Sequence, residues 1–256
     1  MEIIRSIIIG YLLLISTLVC QVNTEALRTV ERTDGFQNKF NLELGYEKAD
    51  SEILQLAAKY RLEYINQDEF HSFMIINFDN GYEKESDAPK NIITNKGFMH
   101  LRTTKSMLKN YQMEVFMQYE FNEFIRLNDR YLIGMGLRIS FQRSKLTNTY
   151  LGMGFMYEEE SYNAEIENKK SLLRSTNYIK NNFVLSSNIE VNNTAYFQIA
   201  SDDFNDYRIL YDGQLEFNVN NYFSFTTSLN YRYDNDPHAD MGSSYIQISN
   251  GVSFNF

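Results

Sequence analysis

The chain has 256 residues, of which 43% are hydrophobic and 15% aromatic, and its formal net charge at pH 7 is -9. The mean hydropathy of -0.41 excludes a bundle of membrane-spanning helices, because such helices need long apolar runs. The acidic balance also argues against nucleic acid as a partner, since nucleic-acid binding needs basic patches.

The N-terminus has the pattern of a secretory signal peptide. Arg5 precedes an apolar run over residues 6–19, which is short for a spanning helix. We therefore predict a signal peptide over residues 1–20 and a short periplasmic lead-in over residues 21–36. The only cysteine is Cys20, at the predicted cleavage point, so no disulfide framework is available and lipidation of this residue stays an open alternative.

From residue 37 onward, apolar and polar residues alternate with a period of two, which is typical of strands that have two different faces. This alternation predicts strands at residues 37–47, 53–65, 70–82, 95–106, 111–122, 130–141, 148–158, 173–185, 189–200, 206–219, 222–233 and 245–256. The count is about twelve, and merging or splitting one hairpin would give about ten or fourteen.

The connections between these strands alternate between short and long. Both prolines, Pro89 and Pro237, fall in long connections, where they cost no ladder hydrogen bond. Short periplasmic turns and longer outer loops are typical of outer-membrane barrels. We therefore predict an all-β fold, a transmembrane antiparallel up-and-down β-barrel of about twelve strands, over residues 37–256.

The last predicted strand has one apolar face, one polar face and a terminal aromatic residue, Phe256. Such a strand resembles the closing strand of a bacterial outer-membrane barrel. We expect a monomer in the bacterial outer membrane, surrounded by outer-membrane lipids, with the barrel assembly machinery recognising the strand that ends in Phe256. We also expect two aromatic girdles, an outer one of Tyr46, Tyr82, Tyr119, Tyr157, Tyr207 and Tyr233, and a periplasmic one of Tyr64, Tyr111, Phe141, Phe217 and Phe256.

The face opposite the apolar one carries charges of both signs. The lumen-lining candidates are Lys59, Arg61, Glu63, Glu114, Glu120, Arg138, Arg208, Asp212, Glu216 and Arg232. One interpretation is a self-neutralising network that fills the lumen, because buried charges are normally paired. The second is a narrow water-filled path whose selectivity these groups set.

Glycines mark two neighbouring strands on this inward face. Gly134 and Gly136 lie in one predicted strand, and Gly152 and Gly154 lie in the next. We expect them to make room for bulky neighbours such as Phe116. A smooth wall against which a solute lies is the alternative.

The sequence offers no catalytic motif, because none of its three histidines has a predicted nucleophile and orienting group within reach. We therefore expect no enzyme, no catalytic residues and no cofactor. Residues 234–240 resemble the start of a calcium loop but lack its turn glycine and its late glutamate, so we predict no metal site. We interpret them, like residues 158–160, as acidic solvated loop.

Four stretches resemble a family of bacterial outer-membrane proteins named salt-induced, the domain of unknown function 481. The stretches are residues 114–122, 130–138, 206–210 and 229–234. The resemblance covers most of the chain after Gly35. It implies an outer-membrane barrel and a link to salt or osmotic stress, and it implies no catalytic residue.

Several functions remain open for such a chain. The barrel is a narrow pore or a structural envelope protein, or it binds a partner through residues 159–172 and 234–244. A barrel-embedded lipid or peptide hydrolase would have His100 as its only candidate base. A soluble lipocalin-like barrel fits less well, because the outward positions are uniformly apolar.

Overall fold

A computed structural model describes residues 34–48, 51–66, 69–85, 89–123, 126–144, 146–163, 169–220, 223–237 and 242–254. The predicted signal peptide, Cys20, the predicted lead-in up to residue 33, His238 and Phe256 lie outside these residues. None of the described stretches forms a helix with the length and hydropathy that a membrane crossing requires.

The described residues form twelve strands in one sheet, whose order follows the chain from β1 to β12. The strands are β1 (Gly35–Lys48), β2 (Ser51–Asn66), β3 (Phe70–Glu85), β4 (Asn91–Leu108), β5 (Tyr111–Asn122), β6 (Leu127–Arg143), β7 (Thr147–Tyr162), β8 (Lys169–Ser186), β9 (Ile189–Ala200), β10 (Tyr207–Asn220), β11 (Phe223–Asp234) and β12 (Ser244–Phe254). The prediction of an all-β, antiparallel up-and-down fold is confirmed. Among the described residues β1 and β12 are not paired with each other, so closure of the sheet is not part of the described structure.

The predicted strand bounds are accurate at some strands and too short at others. β5 and β9 span the predicted residues 111–122 and 189–200. β7 continues to Tyr162 and β8 begins at Lys169, so the predicted loop at residues 159–172 is much shorter than expected. Among the extra residues, Glu160 is bound by Arg130 of β6, a partner that the local pattern does not reveal.

By mutual contacts the chain divides into two compact units. The N-terminal unit holds the described residues of Leu27–Ser140 and Gly152–Thr176. The C-terminal unit holds those of Phe141–Leu151 and Asn177–Phe256.

Strands β4 to β8 bury their polar face and expose their apolar face, which is the reverse of a water-soluble sheet. In β6 the exposed side chains are Tyr131 (52%), Ile133 (55%), Met135 (50%) and Leu137 (48%). In the same strand Arg130 and Arg138 are 0% and 1% exposed. Soluble monomers rarely expose large contiguous apolar patches, so a face of this kind marks a surface that contacts lipid or another protein. We call the two sides the apolar face and the polar face.

Candidate functional site

The polar face of β3, β4, β5 and β6 is a grid of four rows, each made of residues that lie directly opposite one another on paired strands. In strand order the rows are Asn77, Phe98, Glu120 and Arg130; Ile75, His100, Gln118 and Leu132; Phe73, Arg102, Phe116 and Gly134; and His71, Thr104, Glu114 and Gly136. Directly opposite residues on one face have Cβ atoms close enough to interact. The grid therefore defines which side chains meet.

The first row ends in a buried ion cluster, the Arg130 cluster, made of Gln118, Glu120, Arg130, Glu160 and Tyr162. Arg130 Nη1 donates to Glu120 Oε1 at 2.7 Å, and its Nε donates to Glu160 Oε1 at 2.6 Å. Gln118 donates to Glu120 Oε2 at 2.6 Å, and the Tyr162 hydroxyl donates to Glu160 Oε2 at 3.1 Å. One guanidinium thus serves two carboxylates in a place that water does not reach.

A second buried ion pair lies on β7 and β8. Arg174 Nε is 3.6 Å from Glu158 Oε1, and the two side chains are 0% and 1% exposed. The prediction that residues 158–160 form an acidic solvated loop is therefore wrong, because Glu158 and Glu160 are buried strand residues held by arginines. Their partners, Arg174 and Arg130, are too distant in sequence for a local pattern to reveal them.

The first three rows of the grid hold an aromatic cluster of Phe73, Phe98, His100 and Phe116, with Phe98 in the first row and the other three rings in the two middle rows. The His100 ring is fully buried, and its centroid lies 5.9 Å from that of Phe73, 6.1 Å from that of Phe98 and 6.2 Å from that of Phe116. The guanidinium carbon of Arg102 lies 5.0 Å from the Phe116 ring centroid. Such contacts stabilise a buried cation beside an aromatic ring.

Polar groups border the aromatic cluster towards the β2–β3 turn. His71 Nε2 lies 2.5 Å from Glu63 Oε1, and Arg61 Nη2 lies 3.1 Å from Glu63 Oε2. The Thr104 hydroxyl donates to Glu114 Oε1 at 3.3 Å, and Arg102 Nη1 lies 3.6 Å from Glu114 Oε2. This edge of the cluster is a second charged layer.

The C-terminal unit carries ion pairs of a different composition on its own polar face. Arg208 Nε donates to Asp234 Oδ2 at 2.7 Å, and Arg232 Nη2 donates to both oxygens of Asp212 at 2.8 and 3.0 Å. We call these the aspartate pairs. Because Asp234 is a buried strand residue, the prediction that it belongs to an acidic solvated loop is wrong.

An apolar patch interrupts the polar face of this unit too. Tyr178, Tyr196 and Leu210 are buried together, and the two tyrosine ring centroids are 5.1 Å apart. Tyr196 and Leu210 lie directly opposite each other on β9 and β10. Bulky apolar side chains therefore occur among the charges in both units.

The lumen-lining candidates all lie on the polar face, with different burial. The buried ones are Glu63, Glu114, Glu120, Arg138, Arg208 and Arg232. Arg61, Asp212 and Glu216 are half-buried, and Lys59 is exposed. The prediction omitted Arg102, Glu158, Glu160, Arg174 and Lys180, all of them buried. The alternation of side chains along a strand could have identified them, because residues that are an even number of positions apart lie on the same face. Each of the five lies at such a spacing from a known residue of the polar face. Their role in lining a lumen stays a prediction.

The glycines of β6 and β7 serve two different packing needs. A Cβ on Gly134 would collide with the Phe116 ring, so Gly134 makes the room for Phe116 that the sequence predicts. A Cβ on Gly136 would lie 2.6 Å from the Met153 carbonyl oxygen, and one on Gly154 would collide with the Met135 carbonyl oxygen. The backbones of the two strands thus approach closely where both residues lack a side chain.

The predicted girdles contain several aromatic residues with highly exposed side chains. These residues are Tyr46, Tyr111, Tyr157, Phe141 and Phe217. Tyr119 and Tyr131 lie directly opposite each other, and their ring centroids are 4.9 Å apart. The ring centroids of Tyr207 and Tyr233 are 5.9 Å apart. Their arrangement in two membrane girdles stays a prediction.

A groove on the apolar face of the N-terminal unit has a volume of about 260 Å³. Its lining includes Met99, Met117, Ile133, Tyr119, Tyr131 and Tyr157. Among the described residues, no group of three or more His, Cys, Asp or Glu side chains could hold a metal ion. Residues 238–240 of the calcium-like stretch lie outside the described residues.

Comparisons with solved structures give the fold. The chain is similar to the NanC porin, with 8% identity and a TM-score of 0.50, over 84% of this chain and 100% of that one. It is also similar to the translocator domain of the autotransporter NalP from Neisseria meningitidis, with 8% identity and a TM-score of 0.51, over 91% of this chain and 92% of that one. Both of these proteins are outer-membrane barrels, and at this identity the likeness shows for this chain the fold alone, an antiparallel up-and-down β-barrel.

The model of the family described as "Protein of unknown function, DUF481" matches residues 21–256. No curated protein sequence matches the chain significantly.

Proposed function

Since this chain belongs to the DUF481 family, whose function is unknown, we propose on physical grounds that it is an integral outer-membrane β-barrel enclosing a narrow, constricted polar path. The observation that carries the proposal is the reversed burial of its strands, with charged residues such as Arg130 and Arg174 inside and large apolar residues outside. Lipid is the environment in which an apolar face of this extent is favourable.

Strand lengths support the membrane assignment. The shortest strand, β12, has 11 residues, and the longest strands, β4 and β8, have 18. A tilted strand needs roughly 9–11 residues to cross a bilayer core. Every strand is therefore long enough to cross the bilayer core. Closure of the sheet would pair the backbone N–H and C=O groups of its edge strands, which lipid cannot do. Outer-membrane lipids around a monomer, and assembly machinery that recognises the strand ending in Phe256, belong to the same proposal.

The polar face supports a narrow path over a wide one. Side chains that line a wide aqueous channel are accessible to water, whereas the Arg130 cluster and the Arg174–Glu158 pair are almost completely buried. A structural envelope role, in which the interior is wholly filled, is the neighbouring possibility. Single-channel conductance separates the two, because a filled barrel inserts without conducting.

A hydrolase and a loop-mediated binding protein receive less support. His100 is enclosed by three phenylalanine rings, so it has no exposed position from which to act as the base of a hydrolase. The first of the two loops predicted to bind a partner is shorter than the sequence predicts, because β7 and β8 extend into residues 159–172. A role under salt or osmotic stress rests on the family resemblance, and growth of a deletion strain at high and low salt would test it.

Two matched lysine substitutions test the membrane assignment. Ile133 lies on the apolar face of β6 and is 55% exposed, and Phe204 lies in the β9–β10 loop and is 75% exposed. A lysine on the lipid-facing surface at the bilayer midplane destabilises the inserted barrel by about 2–4 kcal/mol, whereas a lysine outside the bilayer has almost no effect on its stability. We expect Ile133→Lys to reduce the heat-modifiable, membrane-inserted fraction strongly, and Phe204→Lys to leave it unchanged.

A protein that fractionates as soluble, or one that tolerates both lysines equally, would overturn the proposal. On inserted wild-type protein in a planar bilayer, small discrete conductance steps would support a path. Wide, permanently open channels would contradict the narrow one.

A further inference from the structure

We propose that the aromatic cluster of Phe73, Phe98, His100 and Phe116 is a dry gate that holds the polar path closed, with Phe116 as its inner surface. The inference rests on the proposed function, because a gate has meaning only for a polar path through a membrane barrel. It assigns a role to the apolar side chains that interrupt an otherwise charged face.

The position of the cluster along the strands is the first support. The two middle rows of the grid hold four bulky apolar residues, Ile75, Leu132, Phe73 and Phe116. The rows on either side are mainly polar or charged, with Glu120 and Arg130 in one and His71, Thr104 and Glu114 in the other. A solute that moves along the strand direction meets charge, then a layer in which these apolar side chains lie beside the buried His100, Arg102 and Gln118, then charge again.

Packing identifies Phe116 as the residue at the surface of this layer. Phe73 and His100 are 1% and 0% exposed, so they form the base of the cluster. Phe116 is half-buried, and its ring lies over Gly134, where a Cβ would collide with it. The Arg102 guanidinium and the His100 ring flank the same ring at 5.0 and 6.2 Å. The Phe116 ring is therefore held firmly and still faces the interior.

The chemistry of the layer explains closure. An ion that passes a constriction must exchange its hydration shell for polar groups of the wall. Phenylalanine, isoleucine and leucine offer none, and the buried Arg102 and Gln118 of the same rows are already bound to Glu114 and Glu120. Narrow apolar constrictions lose their water and so block ions without complete steric closure. The charged rows on both sides keep their own hydration or ion pairs, so the barrier is confined to the apolar layer.

Three substitutions at Phe116 separate dewetting from steric blockage. Phe116→Ala widens the layer, Phe116→Gln keeps a long side chain but wets it, and Phe116→Leu keeps it apolar and bulky. We expect the wild-type protein to be nearly closed. The mean conductance of the alanine and glutamine variants should be several-fold higher, and that of the leucine variant should not rise. The matched control is Met117→Ala, which removes a large side chain from the apolar face of the same strand. It should conduct like the wild type.

The measurement is single-channel recording in a planar bilayer, on refolded full-length mature protein whose insertion is established by heat modifiability. If inserted Phe116→Ala and Phe116→Gln conduct no more than the wild type, the gate is overturned, and the proposed membrane barrel stands without it. Equal conductance of the wild type and all variants would also overturn it. A chain that never inserts would overturn the proposed function itself, and the gate with it.

Discussion

The Arg130 cluster and the aspartate pairs both neutralise buried carboxylates, but they differ in the number of carboxylates that each arginine binds. In the N-terminal unit one guanidinium bridges Glu120 and Glu160 with no exposed surface. In the C-terminal unit Arg232 binds Asp212, and the two side chains are 10% and 11% exposed. The difference teaches that the shared arginine is the critical member of its cluster, whereas the arginine of a pair neutralises a single carboxylate. Each prediction below tests that difference.

The largest effect should follow removal of Arg130. Arg130→Met leaves two buried carboxylates without their common cation, and uncompensated buried charge costs about 3–5 kcal/mol. We expect a loss of that size in the free energy of unfolding, measured by urea titration of the folded, heat-modifiable form in lipid. Glu120→Gln is the control, because it leaves Arg130 and Glu160 bonded, and it should cost less than half as much. Equal losses for the two variants would remove the distinction.

The Arg232–Asp212 pair should respond less strongly than the Arg130 cluster. Arg232→Met and Asp212→Asn each break a hydrogen-bonded charge pair that retains some contact with water, and Arg232→Met also removes the two bonds from Nη1 to the Tyr211 and Tyr231 carbonyl oxygens. We expect both to cost about 1.5–3 kcal/mol in the same titration, the usual value of hydrogen bonds to charged groups. A loss for Arg232→Met that matches Arg130→Met would mean that stoichiometry and burial are unimportant here.

Glycine substitutions sharpen the comparison through the backbone. Gly154→Ala, in the N-terminal unit, would press a Cβ against the Met135 carbonyl and separate the strands that bring Arg130 to Glu160. Overpacking of this kind costs about 1–3 kcal/mol. In the C-terminal unit the atoms nearest to a Cβ on Gly213 belong to the Tyr211 side chain, which can rotate away, so Gly213→Ala should cost clearly less. Urea midpoints of both variants test this, and the reverse order would contradict it.

The smallest effect concerns single hydroxyls on the apolar face, where the two units should not differ. The Tyr119 hydroxyl donates to Asp129 Oδ1 at 2.8 Å, and the Tyr211 hydroxyl donates to Asn193 Oδ1 at 2.7 Å. Tyr119→Phe and Tyr211→Phe should each cost about 0.5–1.5 kcal/mol. Tyr131→Phe is the control and should cost nothing measurable. A large gap between the first two variants would extend the difference between units beyond the polar face.

The sequence predicts the strands well because alternation is a local property. The bounds of β5 and β9 follow from residue types alone, since each side chain is assigned to a face by its parity. The room that Gly134 leaves for Phe116 is also predictable, because the two residues lie on neighbouring strands.

Long-range pairing is what the sequence does not reveal. Glu158 and Glu160 look like loop residues because three consecutive glutamates suit solvent, and only their arginine partners explain their burial. The aromatic cluster is hidden for a related reason. Phe73, His100 and Phe116 come from three strands, and their meeting depends on the register between those strands.

The order of the sheet has a consequence for how such a protein changes in evolution. Every pairing of the described sheet joins strands that are consecutive in the chain. Duplication or deletion of a hairpin therefore adds or removes two adjacent strands and preserves all other pairings. Circumference can thus change in steps of two strands by a single genetic event, and only the side chains next to the insertion must adapt to new neighbours.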